Sequence, residues 1–437
     1  MLNTVSIQQG SLIGICEDGY TLYRGIPYAA PPTGPLRWKA PEPHEGWKGI
    51  YRATRWPSRC PHTDHQPGSF YHKEFFTDPF FMPDMNEDCL YLNVWTPAKS
   101  PDDRLPVAVY IHGGGFCTGS GCDYEFDGAA LSQKGLIMVT VNYRLNAFGF
   151  LVHPWLSAES GRSGNYGIFD QIAALSWVRE NIMAFGGDPD NITIFGQSAG
   201  AISVQTLVSS PLTCGWIRGA IIQSGGGYKT GLNVGRNITE SEVLGKRFVD
   251  QTGAKNLDEL RQIPAWNIVK YVEAFLAQLR AENIGLPFRP VVDGYLLTKD
   301  YEATVDNGEH HDIAYMIGLT ANDIGPKPVN EDRGQLYQAC VDWSLKNEAL
   351  GRAPAYVYYF TREPLGDDAG AFHCAELWYM FGILDRSWRP KEARDYELQE
   401  ECVCYWANFI KTGNPNNPDS SIWPPCENIN KYVHEIK

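Results

Sequence analysis

The sequence lacks any run of about 18 consecutive apolar residues, so no membrane-spanning helix is expected. It is also short of positive charge: 37 lysines and arginines face 51 aspartates and glutamates, for a formal net charge of -14. That balance argues against nucleic acid or an anionic membrane surface as a partner. The first residues, "MLNTVSIQQGSLIGICEDG", have no basic stretch followed by an apolar core, so they do not read as a signal peptide. A cytoplasmic, reducing setting follows as the expectation. The 11 cysteines are odd in number and scattered, which is no small-domain disulfide framework. Free thiols are expected. Metal-ligand spacing is missing too. Cys60, His62, His65 and His72 lie close together but fit no standard finger, and Cys402 and Cys404 are too close for a C-x-x-C site. No metal or organic cofactor is expected. No repeat or linker-like stretch divides the chain, which reads as one domain over residues 1–437.

With 43% apolar residues and only 20% charged ones, the chain can bury a large core. Short β-branched or aromatic runs read as strands: "VAVYIH" (107–112), "IMVTVNY" (137–143), "ITIFG" (192–196), "AIIQS" (220–224), "AYMIGL" (314–319) and "AYVYYF" (355–360). Between them "FDQIAALSWVRENIMAFG", "SEVLGKRFVDQTG" and "ELQEECVCYWANFIKTG" read as helices; the last two end on a glycine suited to a helix C-terminus. Near-continuous apolar strands alternating with helices predict an α/β fold, a mostly parallel sheet with helices on both faces. Chemistry in such sheets sits beyond the C-terminal strand ends.

"ITIFG" runs into Gly196-Gln197-Ser198-Ala199-Gly200, a G-x-S-x-G sequence followed by the plausible helix "AISVQTLVSS". Small flanking residues allow a sharp strand-to-helix turn that exposes the serine hydroxyl. The motif alone is common; its place between strand and helix is what makes it informative. "VAVYIH" ends in His112-Gly113-Gly114-Gly115-Phe116. Three successive glycines cost folding entropy, and backbone N–H groups turned toward an oxyanion would account for them. The competing dinucleotide loop requires G-x-G-x-x-G, whereas "GGGFCTGSG" gives G-x-G-x-x-x-G. On the oxyanion reading Gly114 and Gly115 donate with Ala199.

A serine nucleophile needs a base and an acid, in the order Ser, acid, His. Four histidines follow Ser198. His310 and His311 precede "AYMIGL", at the wrong edge of the sheet, and His434 lies near the end of the chain. His373, after "AYVYYF" and a Gly- and Asp-rich loop, remains. Asp323 stands just beyond "AYMIGL", where a carboxylate can accept the imidazole N–H and fix its tautomer. An aspartate that merely turns the chain is the plainer alternative. Asp367 and Asp368, just before His373, are its competitors.

These residues, together with "YRGIPYAAPPTGPLRWKAPEP" (23–43), "EDCLYLNVWTP" (87–97), "VNYRLNAFGFL", "PVVDG" (290–294) and "YWANFIKTGNPN", resemble the type-B carboxylesterase/cholinesterase family of α/β-hydrolases over nearly the whole chain. The resemblance implies Ser198, Asp323 and His373 as a triad, and Gly114, Gly115 and Ala199 as the oxyanion hole. It also implies structural ion pairs of Arg24 with Glu87 and of Arg144 with Asp170. The family often bridges the positions of Cys60 and Cys89. Three departures stand out. The acid is more often Glu in the family. Gln197 precedes the nucleophile where cholinesterases carry Glu, which argues against choline esters. His373 follows Asp323 by only 50 residues, so helices that often shape the gorge are trimmed, as in a compact bacterial branch.

The expected activity is hydrolysis of small-molecule carboxylic esters through an acyl-enzyme, each oxyanion donor contributing about 3 kcal/mol. His373 must be neutral to act as base, so kcat/KM should fall near pH 6.5, roughly the unperturbed imidazole value. An aromatic-ester (feruloyl) specialist is the alternative within enzymes. A non-catalytic adhesion module is a remote one, since nucleophile and histidine are both present. The segment "GSFYHKEFFTDPFFMPDM" reads either as a flap over the site or as packing on the sheet rim.

Overall fold

A computed structural model of the chain describes residues 1–232, 236–324, 333–417 and 422–437. Its centre is a ten-stranded sheet. In chain order the strands are β1 (Ile15–Glu17), β2 (Tyr20–Pro27), β3 (Tyr91–Thr96), β4 (Leu105–Ile111), β5 (Ile137–Val141), β6 (Gly187–Gln197), β7 (Gly219–Gln223), β8 (Ala314–Thr320), β9 (Tyr356–Phe360) and β10 (His434–Ile436). Their spatial order is β10-β9-β8-β7-β6-β4-β5-β3-β2-β1. From β10 to β5 every pairing is parallel, and β3, β2 and β1 add on antiparallel. All six apolar runs named above are strands of this sheet.

Alternation along the strands explains the two-sided cover. Val107, Val109, Ile111, Ile192, Ile194, Ile222 and Ile317 point into one apolar cluster. Ala108, Tyr110, Phe195, Ile221 and Met316 point into the other. Side chains of a strand alternate between faces, so each strand must be apolar throughout to fill both clusters. The helices that cover them include α1 (Phe70–Phe75), α2 (Tyr166–Asn181), α3 (Ala199–Val208), α4 (Ile238–Thr252), α5 (Ala265–Ala281), α6 (Gly334–Ala349) and α7 (Ala393–Thr412). The three helices read from sequence correspond to α2, α4 and α7. The last two end on Gly253 and Gly413, both in the left-handed region with φ of 77° and 78°.

Of the two ion pairs the resemblance implies, one forms. Arg144 grips Asp170 with Nε at 2.8 Å and Nη2 at 2.7 Å, both side chains buried. Removing either partner would strand a buried charge. The other pair does not form. Glu87 is held by Arg37, whose Nε lies 2.7 Å from Oε2 and which also donates to the carbonyls of Arg261 and Ile263. Arg24 instead lies over the Trp56 ring, 4.3 Å from its centroid. A guanidinium is attracted to an aromatic face, although the buried Nε of Arg24 has no hydrogen-bond partner among the described residues. Both were arginines in the same motif, "YRGIPYAAPPTGPLRW", and only the chain path decides which reaches Glu87.

Candidate active site

Parallel register sets the candidate residues side by side. Ile111 pairs with Gly196, Gln223 with both Gln197 and Gly318, and Thr320 with Phe360. The C-terminal ends of β4, β6, β7, β8 and β9 therefore form one rim. Strand order reverses at β4: the next two strands in the chain, β5 and β6, lie on opposite sides of it. That switch point is where a crevice opens in an open α/β sheet.

Ser198 occupies the turn between β6 and α3 with φ 58° and ψ -125°, a conformation disfavoured for a residue with a Cβ. Its surroundings admit no other side chains. A Cβ on Gly200 would lie 2.0 Å from the Ile111 carbonyl oxygen, and one on Gly196 would lie 2.6 Å from Gly200. A Cβ on Gly225 would meet the Ser198 carbonyl oxygen at 2.1 Å. The Ser198 N–H donates to the Gln223 carbonyl at 2.8 Å, tying the turn to β7.

The loop after β4 is equally cramped. Gly114 and Gly115 have φ of 92° and 62°, and a Cβ on Gly114 would sit 2.2 Å from the Thr118 carbonyl oxygen. His112 braces this loop: it is buried, stacks on Tyr143, and burial drops its pKa to about 3, so it stays neutral. Among the described residues no hydrogen bond takes up the N–H groups of Gly114, Gly115 or Ala199. The latter is the first residue of α3, where the helix end adds positive potential.

Asp323 and His373 meet across two loops. Asp323 Oδ1 accepts His373 Nδ1 at 2.5 Å and the Ile324 N–H at 2.8 Å, while Oδ2 accepts the Thr320 N–H at 3.0 Å. A neighbouring bridge holds this contact. Asn322 pairs with Phe372, donating its N–H to the Ala371 carbonyl at 2.9 Å and accepting the Ala371 N–H on Oδ1 at 3.0 Å. Gly370, at φ 64°, lets the loop approach: a Cβ there would lie 2.4 Å from Asn322 Oδ1. Neither Asn322 nor Gly370 was singled out from sequence, although they flank Asp323 and His373 closely. Gly325, which closes the loop "TANDIG", lies outside the described residues.

Burial alone would raise the Asp323 pKa, but the His373 imidazole, the Ser224 hydroxyl and the Thr320 N–H hold it below the usual carboxylate range. At His373 burial acts against the imidazolium, yet Cys374 and the Asp323 carboxylate outweigh it and the pKa stands well above the ordinary value. The competitors are elsewhere. Asp367 is bound by Arg389 Nη1 at 2.7 Å, and Asp368 is exposed. Arg389 also grips the buried Glu74 of α1 at 2.8 Å and lies 4.9 Å from the centroid of Phe372, next to His373.

Ser198 and His373 line one cavity of about 300 Å³ with Gln197, Gly113, Gly114 and Gly115. No hydrogen bond joins Ser198 Oγ to His373 among the described residues. The Gln197 amide nitrogen lies 3.2 Å from His373 Nε2 and 3.4 Å from Nδ1, so it rests against the ring rather than on one lone pair. The aromatic segment read two ways above packs on the residues around His373 and also lines the cavity. Phe75 stacks on Trp378 and Phe70 packs edge-on against Phe372, while Tyr71, Phe75 and Phe76 line the cavity. Of the zinc-like cluster, His62 is buried against the Cys60 carbonyl and His65 stacks on Phe76. Among the described residues no group of His, Cys, Asp and Glu could hold a metal ion. Cys60 and Cys89 are free thiols, buried and in contact with each other. No helix of the described residues is long and apolar enough to cross a membrane.

A mostly parallel sheet with helices on both faces and a serine on the strand-to-helix elbow at its switch point is the α/β-hydrolase fold. The chain belongs to the carboxylesterase family, whose model matches residues 2–332 and 333–437, and it is a carboxylic-ester hydrolase. It is 33% identical over 468 residues to the para-nitrobenzyl esterase of Bacillus subtilis (strain 168), covering 96% of this chain and 92% of that one. It is 33% identical to the fumonisin B1 esterase of Sphingopyxis macrogoltabida, covering 96% and 84% respectively. Among solved structures a thermophilic PNB esterase superposes with a TM-score of 0.84 at 30% identity, covering 100% of this chain and 96% of that one.

Proposed function

We propose that the chain, acting as a single catalytic domain, hydrolyses small-molecule carboxylic esters through a covalent acyl-enzyme on Ser198. The observation that supports this most is the 2.5 Å contact of Asp323 with His373 Nδ1, beside a serine on a strained elbow. With Nδ1–H committed to the carboxylate, Nε2 is the atom left to take a proton. His373 removes the proton from Ser198 Oγ as that atom attacks the ester carbonyl. The tetrahedral oxyanion is received by the N–H groups of Gly114, Gly115 and Ala199, which have no other claim on them. The imidazolium then protonates the leaving alcohol, and afterwards His373 activates the water that releases the acid. Hydrogen bonds of this kind tighten when substrate is bound, and the Ser198–His373 contact is one that must form.

The test is a fluorophosphonate reaction followed by peptide mass spectrometry, in which the adduct falls on Ser198. An adduct on a different serine overturns the assignment. The pH profile follows from the His373 environment. The imidazole works only when neutral, so kcat/KM is high above its pKa and is lost as pH falls through it. Since that pKa is raised, the midpoint lies above the unperturbed value of about 6.5. Asp323 remains ionised across this window because its pKa is lowered. A profile that is flat down to well below that value removes His373 from the role.

A further inference from the structure

Ser198 faces two cavities. The second, of about 130 Å³, is lined by Gly115, Ala199, Ile202, Leu232, Leu286 and Arg289, among others. His373 lines the first cavity and not the second. The leaving alcohol has to stay within reach of the imidazole that protonates it, so the alcohol belongs in the larger cavity. The acyl group is left with the smaller one.

In that otherwise largely apolar chamber sits an arginine. Arg289 comes from the run "GLPFRPVV" and is partly buried. Among the described residues it has no carboxylate partner and lies over no aromatic face. Among the described residues its one hydrogen bond runs from Nη2 to the Leu232 carbonyl at 2.9 Å. Leu232 lines the same cavity, so the guanidinium end is at that wall. A guanidinium has five N–H donors, and a single carbonyl occupies one. Among the described residues no hydrogen bond engages its remaining nitrogens.

The electrostatic setting sharpens this. Burial lowers the Arg289 pKa, Tyr301 acts the other way, and the nearby Arg236 cation lowers it again. Arg236 in turn has a buried Nη1 without a partner among the described residues. Arg236 has Glu240 near it, whereas among the described residues no acid pairs with Arg289, which leaves a local positive charge in a chain whose net charge is -14. Among the described residues no lysine or arginine lines the larger cavity. Asp123 and Glu125 line it instead, buried carboxyls whose pKa burial raises, Asp123 to about 6 and Glu125 well above the usual range. A carboxylate on the substrate finds its charge match at Arg289, in the other cavity beside Ser198.

We infer that Arg289 is a specificity residue that binds a carboxylate carried on the acyl group, making half-esters of short dicarboxylic acids the preferred substrate class. This rests on the esterase reading above. Arginine suits the task because its planar fork meets a carboxylate with two parallel hydrogen bonds.

The experiment follows proton release in a pH-stat with monoethyl succinate, glutarate and adipate, each beside its uncharged counterpart, ethyl butyrate, pentanoate and hexanoate. The readout is the ratio of kcat/KM for half-ester over neutral ester, in the wild type and in Arg289→Gln. The wild type favours the half-ester at one or more chain lengths. Arg289→Gln lowers that ratio by about 10- to 100-fold, the scale of a hydrogen bond to a charged group. Arg289→Lys, which keeps the charge without the fork, falls between them. A wild type that turns over the neutral esters with no preference, or a ratio that Arg289→Gln leaves alone, overturns the inference while the esterase reading stands. No turnover of any ester by the wild type overturns both.

Discussion

Ser198→Ala lowers kcat by about 10⁶-fold, the loss that follows removal of the nucleophile from a comparable triad. The protein should fold as before. Alanine keeps the Cβ, so the positive-φ strain at this position is unchanged, and among the described residues Ser198 Oγ makes no hydrogen bond that the fold would miss. Near-ultraviolet circular dichroism and the melting temperature stay close to wild type, and fluorophosphonate no longer labels the protein. The nearest rival is Ser224, also at a strand end with positive φ and lining the smaller cavity. Its buried hydroxyl has no hydrogen-bond partner among the described residues, but it helps lower the Asp323 pKa, which marks it as support for the acid. Substantial residual turnover in Ser198→Ala, abolished in turn by Ser224→Ala, would reverse the two roles.

Asp323→Asn lowers kcat by about 10⁴-fold and leaves KM and stability near wild type. The carboxylate receives donors from His373, Thr320 and Ile324. An asparagine has one acceptor oxygen, so its NH₂ must face one of these donors. If the oxygen stays on the Thr320 N–H, the NH₂ takes the place of Oδ1 and meets His373, which answers by becoming an acceptor at Nδ1 and carrying its proton on Nε2. That tautomer cannot remove a proton from serine. Glu376 is the carboxyl to watch. Burial raises its pKa to about 7, and it accepts the Gln223 amide at 3.3 Å rather than the imidazole. If Asp323→Asn is nearly silent while Glu376→Gln or Asp367→Asn cripples the enzyme, the acid has been misplaced.

The parts of this molecule legible in the sequence are those whose physics is local. Strands buried on both faces must be apolar throughout, so β4 to β9 announce themselves as runs. Backbones packed closer than a side chain permits must be glycine, so the elbow and "HGGG" are visible too. The first three strands of the sheet are less distinct because antiparallel edge strands mix polar and apolar residues; β1 contributes only Ile15, Cys16 and Glu17. Partnerships between distant segments are another matter. Nothing in composition says whether Arg24 or Arg37 reaches Glu87, or that Asn322 clasps the loop before His373. Arg289 left a faint signal, a lone cation between Phe288 and Pro290, whose meaning depends on its pairing with no acid among the described residues.

The interlocked glycines around Ser198 divide the molecule into a part that cannot drift and a part that can. Gly113, Gly196, Gly200 and Gly225 are each blocked by backbone atoms of a neighbouring strand end, so the nucleophile's platform has no neutral variants through which to wander. The walls of the smaller cavity, by contrast, include Leu232, Leu286 and Ile324, which stand on connecting segments and not on the sheet. Inherited variation in what this enzyme accepts is therefore channelled to those segments. Diversifying them is the economical way to retune its substrates while the chemistry stays put.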